Sequence, residues 1–122
     1  MQGLMPYSVI FIDDDPLEHH LVSRLLDRDG RFTLRCFLSV EDAEEAIRQD
    51  RPGVVLLDSR IPPETDHRQS VATLRSLGVA VQIVVVSSVL NPQVQGQDGD
   101  LLFFEKDDVT ADMLAEIFER RS

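Results

Sequence analysis

Four short apolar runs do most to restrict what this chain can become: Val9-Ile10-Phe11-Ile12, Val54-Val55-Leu56-Leu57, Ile83-Val84-Val85-Val86 and Leu101-Leu102-Phe103-Phe104. Runs of this length are too short for a helical core. They do not alternate with polar residues, so both faces are buried, the pattern of strands inside a parallel sheet. A fifth segment, 31–37, alternates instead. Phe32, Leu34 and Cys36 face one way and Thr33 and Arg35 the other, as in a half-exposed strand at a sheet edge.

Helical patterns fill most of the gaps. Asp15-Pro16-Leu17-Glu18 predicts a helix start: Asp15 as N-cap, Pro16 at the first helical position, Glu18 placed to close a capping box. Leu17, Leu21, Val22, Leu25 and Leu26 then share a face. Ser39, with Asp42 three residues later, opens a second helix that turns Val40, Ala43 and Ile47 inward. A third is predicted from about Asp66 to Leu77, with Val71, Leu74 and Leu77 inside and Gly78 as its stop. The last begins near Thr110 and buries Met113, Leu114, Ile117 and Phe118. Residues 88–100 hold Pro92, Gly96 and Gly99 with almost no apolar periodicity, so a loop or a short, poorly formed helix is expected there.

Alternating strands and helices with short connections imply a parallel sheet covered on both faces. Right-handed crossovers reduce the choices to a five-stranded, doubly wound α/β sheet. The 122 residues are enough for one domain, taken as 1–122, and for a core without staples. The single cysteine, Cys36, rules out an internal disulfide or a cysteine-based zinc site and suits a reducing, cytoplasmic setting. A net charge of −10 argues against nucleic acid or an anionic membrane as partner. No apolar stretch can span a bilayer, and the N-terminal MQGLMPYS has neither the basic residues nor the apolar core of a signal peptide.

The charges fall where such a sheet binds ligands. Asp13, Asp14 and Asp15 follow the first strand, Asp58 the third, Ser87 the fourth, and Lys106 the fifth. These positions converge at the carboxyl end of a parallel sheet. Two carboxylates 4 Å apart repel by about 4 kcal/mol at an effective dielectric near 20, and one lysine cannot balance three of them. An all-oxygen donor set favours a hard divalent ion such as Mg²⁺. A hydroxyl at Ser87 and an ammonium at Lys106 suit the oxygens of a phosphoryl group, so the crevice fits phosphoryl transfer to a carboxylate.

With those residues in place, the sequence resembles the response-regulator receiver domains (CheY-like) of two-component signalling. The carriers are VIFIDDDP with Asp13 and Asp14, VVLLDSRIPP with Asp58, VVVSS with Ser87 and FFEK with Lys106, in order along nearly the whole chain. The resemblance implies the flavodoxin-like strand order 2-1-3-4-5 and Asp58 as the residue that becomes an aspartyl phosphate. It implies Mg²⁺ bound by Asp14, Asp58 and the backbone carbonyl of Arg60, with Asp13 acting through water. Ser87 and Lys106 would close on the phosphoryl group, and Phe103 would be the rotating aromatic of the switch. A sensor histidine kinase or histidine phosphotransfer protein would be the donor, and an unidentified protein the target. The chain ends soon after its last helix with no output domain attached, so the expectation is either a stand-alone receiver acting by protein contact or one part of a longer protein. It departs from the family where Asp107 replaces the usual proline after Lys106, and in 88–100, where the fourth helix of the family is expected to be short or missing.

Other readings of the same residues exist. Asp13-Asp14-Asp15 also resembles the D-x-D motif of a haloacid-dehalogenase-type phosphatase, with Asp13 as nucleophile, although Asp58 would then have no role. A receiver-like module that no longer takes phosphate is a further alternative. Lys106 could pair on the surface with Asp107 or Asp108. His19 and His20 are expected on an exposed helix face, and Cys36 as an inert core or edge residue.

Overall fold

A computed structural model describes residues 6–59, 67–87, 96–98 and 100–121, with the backbone alone at 96–98 and 121. In chain order the elements are β1 (Tyr7–Ile12), α1 (Pro16–Asp29), β2 (Phe32–Phe37), α2 (Val40–Asp50), β3 (Val54–Asp58), α3 (His67–Ser76), β4 (Gln82–Ser87), β5 (Gly96–Asp98), β6 (Leu101–Glu105), a 3₁₀ turn (Lys106–Asp108) and α4 (Ala111–Arg121). The four apolar runs are β1, β3, β4 and β6, and the alternating segment is β2 at the sheet edge. Counting the parallel strands alone, the order is 2-1-3-4-5 as expected.

The sheet carries a sixth strand. Within the segment expected to be a loop or poor helix, β5 pairs antiparallel with β6, Gly96 opposite Phe103 and Asp98 opposite Leu101. Its three residues have no side-chain periodicity long enough to read. What they satisfy is the backbone hydrogen bonding of β6, which would otherwise be an open edge. Among the described residues no helix stands between β4 and β6; residues 88–95 lie outside them.

Side-chain alternation splits the core in two. Ile10, Ile12, Val55, Leu57, Val85 and Phe103 point to one face and meet Ala43, Ile47, Val71 and Leu74 of α2 and α3. Val9, Phe11, Val54, Leu56, Val84 and Val86 point to the other and meet Leu26, Leu114 and Ile117 of α1 and α4. The helix boundaries follow the capping residues. Asp15 accepts from the Leu17 N–H at 3.0 Å and Ser39 from Asp42 N–H at 3.1 Å. Thr110 accepts from Met113 N–H at 3.1 Å, and Gly78 leaves α3 at φ 72°. Gly53 is required for a different reason: a Cβ there would lie 2.2 Å from Cε1 of Phe118, whose ring stacks on Tyr7.

One helix departs from expectation. Of the five apolar residues assigned to the inner face of α1, only Leu26 is fully buried, and Val22 is half-buried. Leu17 is 61% exposed and Leu21 52%, and Leu25 is exposed too. The apolar arc of α1 is wider than the sheet beneath it. Val22 and Leu26 cover the core, so the Leu17-Leu21-Leu25 row, about 100° away around the helix, faces outward.

Candidate functional site

The carboxyl edge of the parallel strands gathers the charges. Asp13 follows β1 directly, its N–H donating to the Phe37 carbonyl at 3.0 Å. The chain then turns tightly into α1, with Asp15 N–H donating to Asp13 Oδ1 at 2.9 Å. His19, one turn along α1, donates from Nε2 to the Asp13 carbonyl at 2.7 Å and sets its ring edge against Phe11. A carbonyl can only accept, so Nε2 carries the proton. His19 is thus half-buried and structural rather than part of an exposed face, whereas His20 is exposed as expected. Asp58 ends β3, where it registers with Val86 of β4, and the Ser59 N–H donates to the Val86 carbonyl at 2.9 Å. Ser87 ends β4 one residue further along the same rim and is half-buried. Lys106 enters from the far side on the 3₁₀ turn after β6.

The carboxylates converge. Asp13, Asp14 and Asp58 each offer an oxygen within 4.8 Å of the others. Asp13 is 1% exposed and Asp58 9%, while Asp14 is open to solvent. The Lys106 ammonium lies 2.9 Å from Asp13 Oδ2, 3.5 Å from Asp58 Oδ1 and 3.2 Å from Glu18 Oε1. It therefore binds into the acidic cluster rather than pairing with Asp107 or Asp108. Burial pushes the Asp58 carboxyl up to about 6, and the negative charge of Asp13 adds to this while Lys106 opposes it. Burial works against the charge of Lys106. Its hydrogen bond to Asp13, the charges of Asp58 and Asp13 and the contact with Glu18 outweigh that, so its pKa stands above the ordinary lysine value.

Three clustered oxygens, two from buried groups, with no histidine or cysteine among them, form a donor set that fits a small hard cation. Asp58, held in its resting state by one ammonium shared three ways, is a carboxylate that added positive charge would help to ionise. Arg60 lies outside the described residues. Phe103 is buried, with the His67 ring edge-on at a centroid distance of 5.2 Å.

Glu18 is the site residue that the sequence pattern concealed. Its position after Asp15-Pro16 suggests a capping box, in which it would accept from the Asp15 N–H. That N–H already donates to Asp13 Oδ1, so Glu18 turns to Lys106. The available signal was its place on the first turn of a helix that starts directly after the acidic run, at the end of the sheet where Lys106 also lies.

No protein-family model matches the chain, and no curated protein matches it by sequence. Solved structures do. The signal receiver domain of the response regulator NarL from Mycobacterium tuberculosis is 25% identical, with a TM-score of 0.74 over 94% of this chain and 95% of that one. A CheY-like response regulator receiver domain from Methylobacillus flagellatus is 19% identical, with a TM-score of 0.74 over 97% and 100%. A response regulator from Burkholderia pseudomallei, solved with a phosphorylated aspartic acid, a calcium ion and citrate, is 18% identical, with a TM-score of 0.71 over 93% and 70%. The fold is that of response-regulator receiver domains, along nearly the whole chain.

Proposed function

We propose that this chain, with the fold of a receiver domain, is a phosphoacceptor switch in which Asp58 takes a phosphoryl group and passes the signal on by protein contact. One observation carries the reading. The Lys106 ammonium bridges Asp13 and Asp58 at the carboxyl edge of the sheet, beside a third carboxylate, Asp14, that is open to solvent.

Asp58 is the nucleophile. One of its carboxylate oxygens forms a bond to phosphorus, while the bond from phosphorus to the donor's leaving atom breaks and that atom keeps the electron pair. The attacking group must be ionised, and Lys106 sits where it favours that form. An Mg²⁺ would be held by Asp14, Asp58 and the Arg60 carbonyl, with Asp13 acting through water, and would supply the positive charge that lets an anionic phosphoryl group approach a carboxylate. Ser87 donates to one phosphoryl oxygen and Lys106 pairs with another. The new group adds about 1.5 to 2 negative charges at neutral pH. Carrying a two-state element from 1:99 to 99:1 takes about 5.5 kcal/mol of differential interaction. Two or three charge-assisted hydrogen bonds in a shielded crevice are of that order. Phe103 is the element that responds.

Asp13 suits the role of nucleophile poorly. It is buried, and its two oxygens are taken by the Asp15 N–H and by Lys106. The donor is a histidine-phosphate protein of the sensor-kinase or phosphotransfer type, the setting is cytoplasmic, and the receiver is the unit 1–122. No helix among the described residues is long and apolar enough to cross a membrane. Incubation with acetyl phosphate and Mg²⁺, followed by intact-mass measurement, tests the reading. One phosphoryl increment is expected for the native chain and none for Asp58→Asn. A native chain that gains no mass and does not respond to beryllofluoride is instead a binding module without phosphate chemistry. Labelling that survives in Asp58→Asn moves the acceptor elsewhere.

A further inference from the structure

We propose that Glu18 is a built-in competitor for Lys106: a carboxylate that occupies the ammonium in the resting site and must release it before Lys106 can pair with a phosphoryl group on Asp58. The inference rests on the phosphoacceptor reading and adds to it a residue that sets how easily the site is occupied.

The geometry separates Glu18 from the other carboxylates. Asp13, Asp14 and Asp58 form one cluster within 4.8 Å, and Glu18 is not a member of it. It stands on the first turn of α1 and meets the site through Lys106, at 3.2 Å. Its place is set by the rigid helix start, where Asp15 caps and the Glu18 N–H donates to the Asp15 carbonyl at 3.0 Å. Both partners are largely shielded, with the Lys106 side chain 20% exposed and that of Glu18 21%. Their attraction is therefore screened less than that of a surface pair.

An ammonium has three protons, and here three carboxylates surround it. A phosphoryl group on Asp58 takes over the contact that Asp58 makes now, and drawing Lys106 fully onto its oxygens pulls the ammonium away from Asp13 or Glu18. Asp13 is pinned by the Asp15 N–H. Glu18 is the one with a route out. Its side chain and Lys106 both line a groove of about 210 Å³ between α1 and the turn after β6, where Leu21, Val22 and Val109 also lie. The groove gives the displaced carboxylate room to swing toward water without moving the backbone.

Beryllofluoride titration of the full chain in saturating Mg²⁺ tests this, with Asp107→Asn as a control. Asp107 lies on the same groove and removes the same unit charge, but has no ion pair with Lys106. Glu18→Gln is expected to lower the half-saturating beryllofluoride concentration about fivefold, the factor for one partly shielded ion pair. Glu18→Met, which cannot accept a hydrogen bond, lowers it at least as far. Asp107→Asn leaves it within about twofold, and thermal melts establish that each variant is folded. Equal shifts in Glu18→Gln and Asp107→Asn mean that only the general field was felt, and overturn the competition. So does no shift in both Glu18 variants. A native chain that ignores beryllofluoride at every concentration refutes the phosphoacceptor reading itself, and the competition falls with it.

Discussion

Asp58→Asn should stabilise the metal-free protein, by an amount that depends on pH in a defined way. The Asp58 carboxyl titrates at about 6 in the fold against 3.8 for an unperturbed group. That difference corresponds to about 3 kcal/mol, at roughly 1.36 kcal/mol per pH unit. The sign follows from proton counts. Below pH 3.8 Asp58 is protonated in both states and contributes nothing. Between 3.8 and about 6 the unfolded chain releases the proton while the folded chain keeps it, so stability falls as pH rises. Above that window the whole penalty is present. Asparagine keeps the shape without the charge. The variant should therefore match the native chain near pH 4 and exceed it by roughly 1–3 kcal/mol at pH 8, or about 3–8 °C in Tm for a domain of this size. Urea and thermal melts in EDTA from pH 4 to 8 measure the gap, and Mg²⁺ added at pH 8 should narrow it by stabilising the native chain alone. A gap that does not change with pH, or a variant less stable at pH 8, would refute the claim that burial and the charge of Asp13 strain Asp58.

Three further outcomes follow from the same geometry. Lys106→Met leaves buried Asp13 without its cation and should cost about 3 kcal/mol in urea unfolding at pH 7; a neutral result would mean that water replaces the ammonium. Asp14→Ala should weaken Mg²⁺ binding by at least about tenfold in calorimetric titration while leaving the metal-free melting temperature undiminished, because Asp14 is exposed and adds only repulsion. Gly53→Ala drives a methyl into the Phe118 ring and should cost about 1–3 kcal/mol, with Tyr7 stacking lost in the near-ultraviolet spectrum.

Lys106 shows how local context and packing divide the work. Its sequence neighbours, Asp107 and Asp108, suggest a surface pair, yet the ammonium reaches back across β4 and β3 to Asp13 and Asp58. The buried carboxylates win because they have little water to turn to. Glu18 and His19 behave likewise. Their helical spacing was legible, but the partners they chose depend on the tight turn that brings Asp13 back toward α1.

What the amino-acid order determined by itself was every element but β5 and the 3₁₀ turn, the parallel sheet, and the end of it at which Asp13, Asp58, Ser87 and Lys106 lie. Apolar periodicity, capping residues and crossover handedness are local or general rules, and they need no knowledge of distant contacts. Tertiary structure alone decided that β5 adds an antiparallel sixth strand, that the Leu17-Leu21-Leu25 row stays outside, and that Glu18 shares Lys106 with the acidic cluster. Each of these depends on which groups compete for one hydrogen bond, one charge or one patch of sheet, and such a competition is settled only when all the competitors are in place.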